Sequence, residues 1–180
     1  YNSVAVVARY LQKKYGLKRI LIVDFDVHHG NGTQDIFYED NSVFYFSVHQ
    51  HPLFPGTGRP NEIGQGAGEG YTLNVELPKG SGNNEVIEAF NSKLRPAMDQ
   101  FRPEFVLVSA GFDAHLGDPL GKLNYTDEGY GVVAEILQDI SQKYADGRTL
   151  YMLEGGYNAD NVSQSVEKIL NVLISTNIDN

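Results

Sequence analysis

The chain has 180 residues, of which 41% are hydrophobic and 21% charged, a composition typical of one globular domain with a single core. A formal net charge of −9 argues against a nucleic-acid-binding protein, which needs a basic surface to neutralise phosphates. The absence of cysteine excludes disulfide bonds and thiolate metal ligands, so a bound metal would need His, Asp or Glu side chains.

The first half of the chain predicts a helix, three strands and a long loop. Apolar residues recur with helical period before Gly16, at Val4, Val7, Ala8 and Leu11. The run RILIV at 19–23 lacks polar alternation and predicts a buried strand, which extends over 19–27. Segments 42–50 and 71–77 are rich in β-branched and aromatic residues and predict two further strands. Between them, the Gly- and Pro-rich segment 51–70 predicts a loop that is functional or mobile.

The second half alternates helix and strand with short turns. Helices are predicted at 83–101, which contains a proline, at 127–144 and at 158–175. Strands are predicted at 104–112 and 149–156. This alternation predicts one α/β domain over 1–180, with a mainly parallel sheet flanked by helices on both faces.

Acidic residues and histidines collect after three of the predicted strands. The segments are DFDVHHGNG at 24–32, AGFDAHLGDP at 110–119 and LEGGYN at 153–158. Parallel strands present their carboxyl ends at one edge of a sheet, which is where ligands bind in open α/β sheets. We therefore expect five side chains to converge there: Asp24, Asp26, His28, Asp113 and Tyr157.

The composition of this group indicates a metal site. Asp26 and His28 are two residues apart, and in an extended segment such residues project to the same face. With Asp113 they supply one imidazole and two carboxylates, leaving a coordination position open, as catalytic zinc requires. The alternative interpretation is structural, because a single D-x-H pair is often structural and Asp113 could cap the next helix. Co-location on one sheet edge favours the site.

Four motifs give the sequence a family resemblance. DFDVHHGNGTQ, FPGTG at 54–58, SAGFDAHLGDPLG and LEGGYN, in this order, resemble the zinc-dependent histone deacetylases and their bacterial relatives, in forms closer to class II than to class I. The resemblance extends from Tyr1 to about Ser175. It implies an arginase/deacetylase-like three-layer fold. It also implies removal of acetyl groups from acetylated lysine, or from acetylated polyamines, by metal-activated water.

The resemblance also implies roles for individual residues. Three residues match the zinc ligands: Asp26, His28 and Asp113. Tyr157 matches a tyrosine whose hydroxyl polarises the acetyl carbonyl, although an aromatic contact at a helix start is the simpler interpretation. Asp24 resembles an acid that accepts a hydrogen bond from a catalytic histidine. Phe54 resembles one wall of the acyl-lysine channel, or is a loop aromatic that packs on the core.

Two structural potassium sites are implied in the same way. The first matches Asp24, Asp26, His28, Ser47 and Val48, largely through backbone carbonyls. The second matches Phe37, Asp40, Val43 and Tyr71. The remaining histidines match no family role: His29, His49, His51 and His115.

The family mechanism also needs two adjacent catalytic histidines. The sequence has one adjacent pair, His28 and His29, and His28 is already assigned as a ligand. The chain also begins within a helical pattern and without methionine. We therefore expect the C-terminal part of a deacetylase catalytic domain, with the histidine pair in an absent N-terminal segment, that is poorly active alone.

Other functions remain as alternatives. A non-catalytic module that binds acyl-lysine, or that has a structural role, is expected to lose Tyr157 or a metal ligand, and both are present. A binuclear manganese ureohydrolase would need further aspartates as metal ligands at positions where this chain has Gly30 and His115, so this function is disfavoured. The segment GQGAGEG at 64–70 does not fit the dinucleotide-binding pattern. A serine hydrolase would need a G-x-S-x-G motif, which is absent.

The apolar runs bear on location and partners. None approaches the about 20 residues needed to cross a bilayer. We expect a cytoplasmic protein whose partners are its acetylated substrates, with neither nucleic acid nor membrane, and a homo-oligomer stays open.

Overall fold

The computed structural model describes residues 1–175, which contain a five-stranded sheet. Its strands are β1 (Ile20–Asp24), β2 (Val43–Gln50), β3 (Thr72–Leu77), β4 (Phe105–Ala110) and β5 (Thr149–Leu153). The strand order is β3-β2-β1-β4-β5, and each neighbouring pair is parallel. The prediction of a mainly parallel sheet is confirmed.

Helices lie on both faces of this sheet. They are α1 (Ser3–Tyr15), α2 (Asn31–Phe37), α3 (Asn83–Ala89), α4 (Arg95–Phe101), α5 (Asp127–Tyr144) and α6 (Ala159–Ser175). Side chains alternate along the fully buried β1, so Ile20 and Ile22 join the core beneath α1, whereas Leu21 and Val23 join the larger core beneath α3 to α6. The result is the expected three-layer arrangement. Within residues 1–175 no helix is both long and apolar enough to span a membrane.

Helix α1 shows how closely local signals determine an element. The Asn2 side chain accepts a hydrogen bond from the Ala5 N–H at 2.9 Å, which caps the helix start. Gly16 follows the last residue with φ 72°, a left-handed conformation that glycine adopts without steric cost. The predicted helix is therefore confirmed at both ends.

Four predicted elements differ from the structure. The strands predicted to continue to residues 27, 112 and 156 end earlier, β1 at Asp24, β4 at Ala110 and β5 at Leu153. The predicted helix at 83–101 is interrupted by a π-helical turn at 90–94, ahead of Pro96. Proline has no N–H to donate, so the wider turn redistributes the backbone hydrogen bonds at this point. The short helix α2 has no counterpart in the sequence prediction.

Candidate metal centre

The register of the sheet positions the candidate site. Asp24 at the end of β1 lies opposite Ser109 near the end of β4, so the loops that follow these strands leave the sheet side by side. Glycines let the loops approach closely, since a Cβ at Gly111 would lie 2.3 Å from Asp26 Oδ2. The third loop also joins this edge, where the Gly155 N–H donates to Asp26 Oδ2 at 2.9 Å.

Asp26, His28 and Asp113 converge at this edge. Each offers one ligand atom, and these atoms all lie within 4.8 Å of one another. His28 Nδ1 is 3.0 Å from Asp26 Oδ1 and 3.2 Å from Asp113 Oδ2. Asp113 is fully buried, and its Oδ1 accepts a hydrogen bond from the Val27 N–H at 2.9 Å. Its Oδ2 faces the other two side chains and has no donor aligned with it.

The D-x-H pair comes together differently from the prediction. Residues 26–28 lie beyond the end of β1 in a bend, so the expectation of an extended segment is wrong. In this bend the Asp26 N–H donates to Asp24 Oδ1 at 3.2 Å, and the His28 N–H donates to Asp26 Oδ1 at 2.8 Å. Each aspartate thus accepts from the residue two positions later, which is the local bonding that makes aspartate a turn former.

The three side chains determine each other's protonation. Interaction with the nearby carboxylate of Asp113 first, and then with that of Asp26, raises the pKa of His28 to about 10. Burial raises the pKa of Asp113. Burial acts in the same direction on Asp26, but hydrogen bonds from His28 and from the Gly155 N–H outweigh it and lower its pKa. The site therefore combines two carboxylates with one imidazole. The carboxylates carry more negative charge than one imidazole can offset, which favours a cation between the three side chains.

Asp24 lies behind these residues and is 4% exposed. Its Oδ2 accepts a hydrogen bond from the Tyr45 hydroxyl at 3.0 Å. Burial, and then the Asp26 carboxylate, raise the pKa of Asp24 well above its usual range. Within residues 1–175 no histidine donates to Asp24, so the predicted catalytic role stays a prediction.

A cavity of about 330 Å³ opens beside Asp24 and Asp26. Glu154 also lines it and was not predicted as a site residue. Burial, and then the charge of Asp26, raise the pKa of Glu154. Its position in the LEGGYN motif, directly after β5 at the sheet edge where Asp26 and Asp113 follow other strands, is the signal that could have identified it.

Tyr157 lies at the same edge and is 56% exposed. Its backbone N–H donates to Asp118 Oδ2 at 2.9 Å, and the other oxygen of Asp118 accepts from the Leu120 N–H at 2.8 Å. Partial burial, and then the carboxylates of Asp113 and Asp26, raise the pKa of Tyr157. The phenol therefore stays protonated at neutral pH and can donate a hydrogen bond.

Phe54 lies in the long loop after β2 and is 78% exposed, so it does not pack into the core. Its ring centroid is 6.5 Å from that of His28. The ring therefore lies beside one of the predicted metal ligands, and its role as a channel wall stays a prediction.

The predicted potassium residues are placed near one another by β2. Ser47 is the Cα partner of Asp24 across the β1–β2 pair, and Val48 follows it. Four other residues lie around the start of β2: Phe37, Asp40, Val43 and Tyr71. Asp40 already accepts hydrogen bonds from Ser42 and pairs with Arg9 at 2.6 Å. Potassium binding at either place stays a prediction.

The residues present fit a zinc ion. One imidazole and two carboxylates form a ligand set for catalytic zinc, and the buried Asp113 Oδ2 without an aligned donor is an atom that a cation would satisfy. Gly155 leaves the space open, since a Cβ there would lie 2.3 Å from Asp113 Oδ2 and 2.6 Å from Asp26 Oδ2.

Comparison with known proteins connects this geometry to a family. Residues 1–173 match the family described as the histone deacetylase domain. The chain is 48% identical over 166 residues to histone deacetylase 10, chloroplastic, of Oryza sativa subsp. japonica, covering 92% of this chain and 38% of that protein. It is 43% identical over 159 residues to a probable deacetylase of Archaeoglobus fulgidus, covering 88% of this chain and 44% of the relative. The crystal structure of the HDA15 HD domain superposes with a TM-score of 0.86 at 42% identity, covering 95% of this chain and 49% of that one.

These comparisons test three of the expectations. The family resemblance and the arginase/deacetylase-like fold are confirmed. The chain spans about two-fifths of the length of the two curated relatives, at 38% and 44%. The rice relative is named as chloroplastic, so the expected cytoplasmic location is not confirmed.

Proposed function

Because the chain belongs to the histone deacetylase domain family, we propose that it forms part of a zinc-dependent deacetylase acting on acetylated lysine in proteins or on acetylated polyamines. The observation that carries this proposal is the convergence of Asp26, His28 and Asp113 from two different loops. Asp113 lies 85 positions from His28 and 87 from Asp26 in sequence, and its buried Oδ2, which has no aligned donor, faces both of them.

Asp26, His28 and Asp113 would hold the zinc. When bound, zinc supplies Lewis acidity at a carbonyl and lowers the pKa of a neighbouring water molecule. Tyr157 donates its hydroxyl hydrogen to the acetyl oxygen as that oxygen gains negative charge, because its raised pKa keeps the phenol neutral. Phe54 contacts the apolar stem of the acyl-lysine and excludes water from it. Water adds to the acetyl carbon, the amide C–N bond breaks, and acetate and the free amine leave.

The net charge of −9 suits both substrate classes, since peptides around acetyl-lysine and polyamines carry positive charge. The charge does not distinguish one from the other. The loop at 51–70 borders the site through Phe54 and is the part of the described chain that would select between them.

We further propose that residues 1–180 form the C-terminal part of the catalytic domain and are poorly active alone. Two observations support this: the chain spans about two-fifths of its curated relatives, and Asp24 borders an open cavity in which no described histidine contacts it. A catalytic base contributes about 10²- to 10⁴-fold to proton transfer, so its absence would leave slow turnover. Potassium at the two predicted positions belongs to the same proposal.

Zinc binding tests the proposal directly. The purified chain is expected to bind one zinc, measured by elemental analysis and by competition with a chromophoric chelator. Asp113→Asn retains the oxygen that accepts from the Val27 N–H but replaces the charged oxygen facing the site. This variant is expected to bind zinc at least about 100-fold more weakly, since it loses an anionic ligand.

The matched control is Asp35→Asn, which changes an exposed acid on α2 and should leave zinc affinity unchanged. A well-folded chain that binds no zinc would contradict the proposal. So would equal losses of affinity in the two variants, because general negative charge rather than this site would then hold the ion.

A further inference from the structure

A buried network of polar side chains lies next to the metal centre, and the proposed reaction does not use it. Its centre is the pair His29 and His49, which are 4% and 1% exposed, with ring centroids 4.8 Å apart. His29 directly follows the proposed ligand His28 and lies in the segment between β1 and α2. His49 lies near the end of β2. Both rings face the long loop that follows β2.

His29 connects this loop to helix α2. Its Nε2 lies 3.0 Å from Gln34 Oε1, and its Nδ1 lies 2.8 Å from Thr57 Oγ1. The amide oxygen of Gln34 can only accept, so Nε2 carries the proton and donates, and in the neutral ring Nδ1 accepts from the Thr57 hydroxyl. A histidine adjacent to a metal ligand thus bonds to the loop rather than to the ion.

His49 connects the same loop to strand β2. Its Nε2 lies 3.0 Å from the Gly58 carbonyl oxygen, and its Nδ1 lies 2.9 Å from Ser47 Oγ. The carbonyl can only accept, so Nε2 donates to the loop backbone. A Cβ at Gly58 would lie 2.5 Å from His29 Cγ and 2.6 Å from His49 Cε1, so a glycine here lets the loop reach both rings.

Glu62 completes the attachment. It accepts from the Gly58 N–H at 3.1 Å, from the Arg59 N–H at 3.0 Å and from Gln34 Nε2 at 2.6 Å. Asn74 on β3 donates to Gln34 Oε1 at 2.7 Å and to the Glu62 carbonyl at 3.2 Å. The segment 57–62 is therefore attached to α2, β2 and β3 at once.

Phe54 depends on this attachment. It is 78% exposed, so contacts of its own side chain do little to fix it, and its position follows that of the loop backbone. Thr57, only three residues later, is the first residue that the network binds. Leu53, which precedes Phe54, packs against the core. Loss of the network would therefore free the chain from Phe54 to Glu62 and leave Phe54 held from one side only.

We propose that His29 and His49 are positioning residues that hold the loop carrying Phe54 beside the metal ligands, so that the acyl-lysine channel has one fixed wall. The inference rests on the proposed function, which gives Phe54 its role as a wall of the acyl-lysine channel. Neither histidine touches the reacting atoms; each acts through hydrogen bonds to the loop.

Fluorescence tests this in the chain itself, which has no tryptophan. In a Phe54→Trp background, the introduced indole reports the order of the loop through its anisotropy and through acrylamide quenching. His49→Leu removes both hydrogen bonds, and it is expected to lower the anisotropy and increase the quenching, with zinc affinity retained. His49→Gln keeps a side-chain N–H for the Gly58 carbonyl and is expected to restore most of the parental signal. That rescue separates a hydrogen-bonding role from simple filling of space.

The control is His51→Gln, since His51 is in the same loop but pairs with Glu76 at 3.4 Å and should leave the signal unchanged. If His49→Leu does not fold by circular dichroism, Thr57→Val replaces it, because that variant removes only the hydroxyl bonded to His29. Unchanged anisotropy and quenching in a folded variant would overturn the inference. A parental chain that binds no zinc would instead contradict the proposed function. The fluorescence comparison would still decide whether His29 and His49 hold the loop.

Discussion

Individual glycines decide whether the three ligands can meet. Gly111 and Gly155 come from the loops after β4 and β5, and each lies where a Cβ would strike Asp26 Oδ2, at 2.3 and 2.6 Å. At Gly155 the same Cβ would also lie 2.3 Å from Asp113 Oδ2. The backbone here must approach two carboxylates at once, and only a residue without a side chain leaves that approach open.

Gly155→Ala is therefore expected to displace both carboxylates. We expect zinc affinity to fall by about 10- to 100-fold or more, as for other changes that misplace metal ligands. The matched control is Gly32→Ala on α2, where the nearest atom to the new Cβ would be 3.9 Å away. Chelator competition on both variants measures the difference. Equal affinities would show that the loops can move apart without disturbing the ligands.

Residue patterns predicted the convergence of the three side chains but not the contacts around them. Asp26, His28 and Asp113 carry the chemistry of metal ligands wherever they occur, so their types and strand-end positions were enough. The bend at 26–28 depends on carboxylates accepting backbone N–H groups, which has no periodic signature. Tyr45 was predicted as part of a strand, and its hydrogen bond to Asp24 arises only from the pairing of β1 with β2.

At the scale of elements, the start of α5 is tied to the start of α3. Asn83 Oδ1 accepts from the Thr126 N–H at 3.0 Å, and Asn83 Nδ2 donates to Thr126 Oγ1 at 2.9 Å. The Asn83 side chain therefore bonds to two groups of Thr126, which precedes α5 and lies 43 residues later in the sequence. Gly129 in the first turn of α5 makes room for it, since a Cβ there would lie 2.1 Å from Asn83 Oδ1.

Two glycines of α5 should thus respond oppositely to alanine. In Gly131→Ala the nearest atom to the new Cβ would be 3.9 Å away. We therefore expect this variant to stabilise the chain by up to about 1 kcal/mol through helix propensity. Gly129→Ala makes the same gain but displaces Asn83, whose two part-buried hydrogen bonds to Thr126 contribute about 0.5–1.5 kcal/mol each, and it also forces the new Cβ against Asn83 Oδ1. Its net effect is therefore a loss. Urea unfolding of the two variants measures the signs, and stabilisation by both would contradict the importance of this junction.

Elements were predictable where local signals agree with burial. The predicted bounds of α5, 127–144, match the structure because an acidic first turn and a period-3.6 apolar face occur together. The π-helical turn at 90–94 was not predictable, because a proline inside a helical pattern can equally kink, end or widen the helix. Helix α2 is only seven residues long, too short for its apolar pattern to stand out.

At the scale of the whole molecule, the sheet has unequal edges. Parallel strands are usually buried on both faces, as β1 and β2 are here along their whole length. Within residues 1–175, β5 pairs with β4 alone, and its Leu150 and Leu153 are 40% and 67% exposed. An apolar cavity of about 250 Å³ adjoins it, lined in part by Phe112 and Leu170. The proposed remainder of the catalytic domain would cover this edge.

An uncovered edge of this kind promotes association with other chains. We therefore expect the isolated chain to self-associate through β5, measured by sedimentation velocity over a series of concentrations. Leu153→Lys places a charge on the exposed edge and should shift the chain towards monomer, because strand edges carrying lysine resist pairing. Ile36→Lys changes another exposed apolar residue, 47% exposed, on α2, which packs against α1 and β2, and should leave the association of the chain unchanged. If both variants associate as strongly as the parent, or the parent is monomeric throughout, the β5 edge is not the contact surface. If only Leu153→Lys is monomeric, the edge is the surface that the rest of the domain would need to cover.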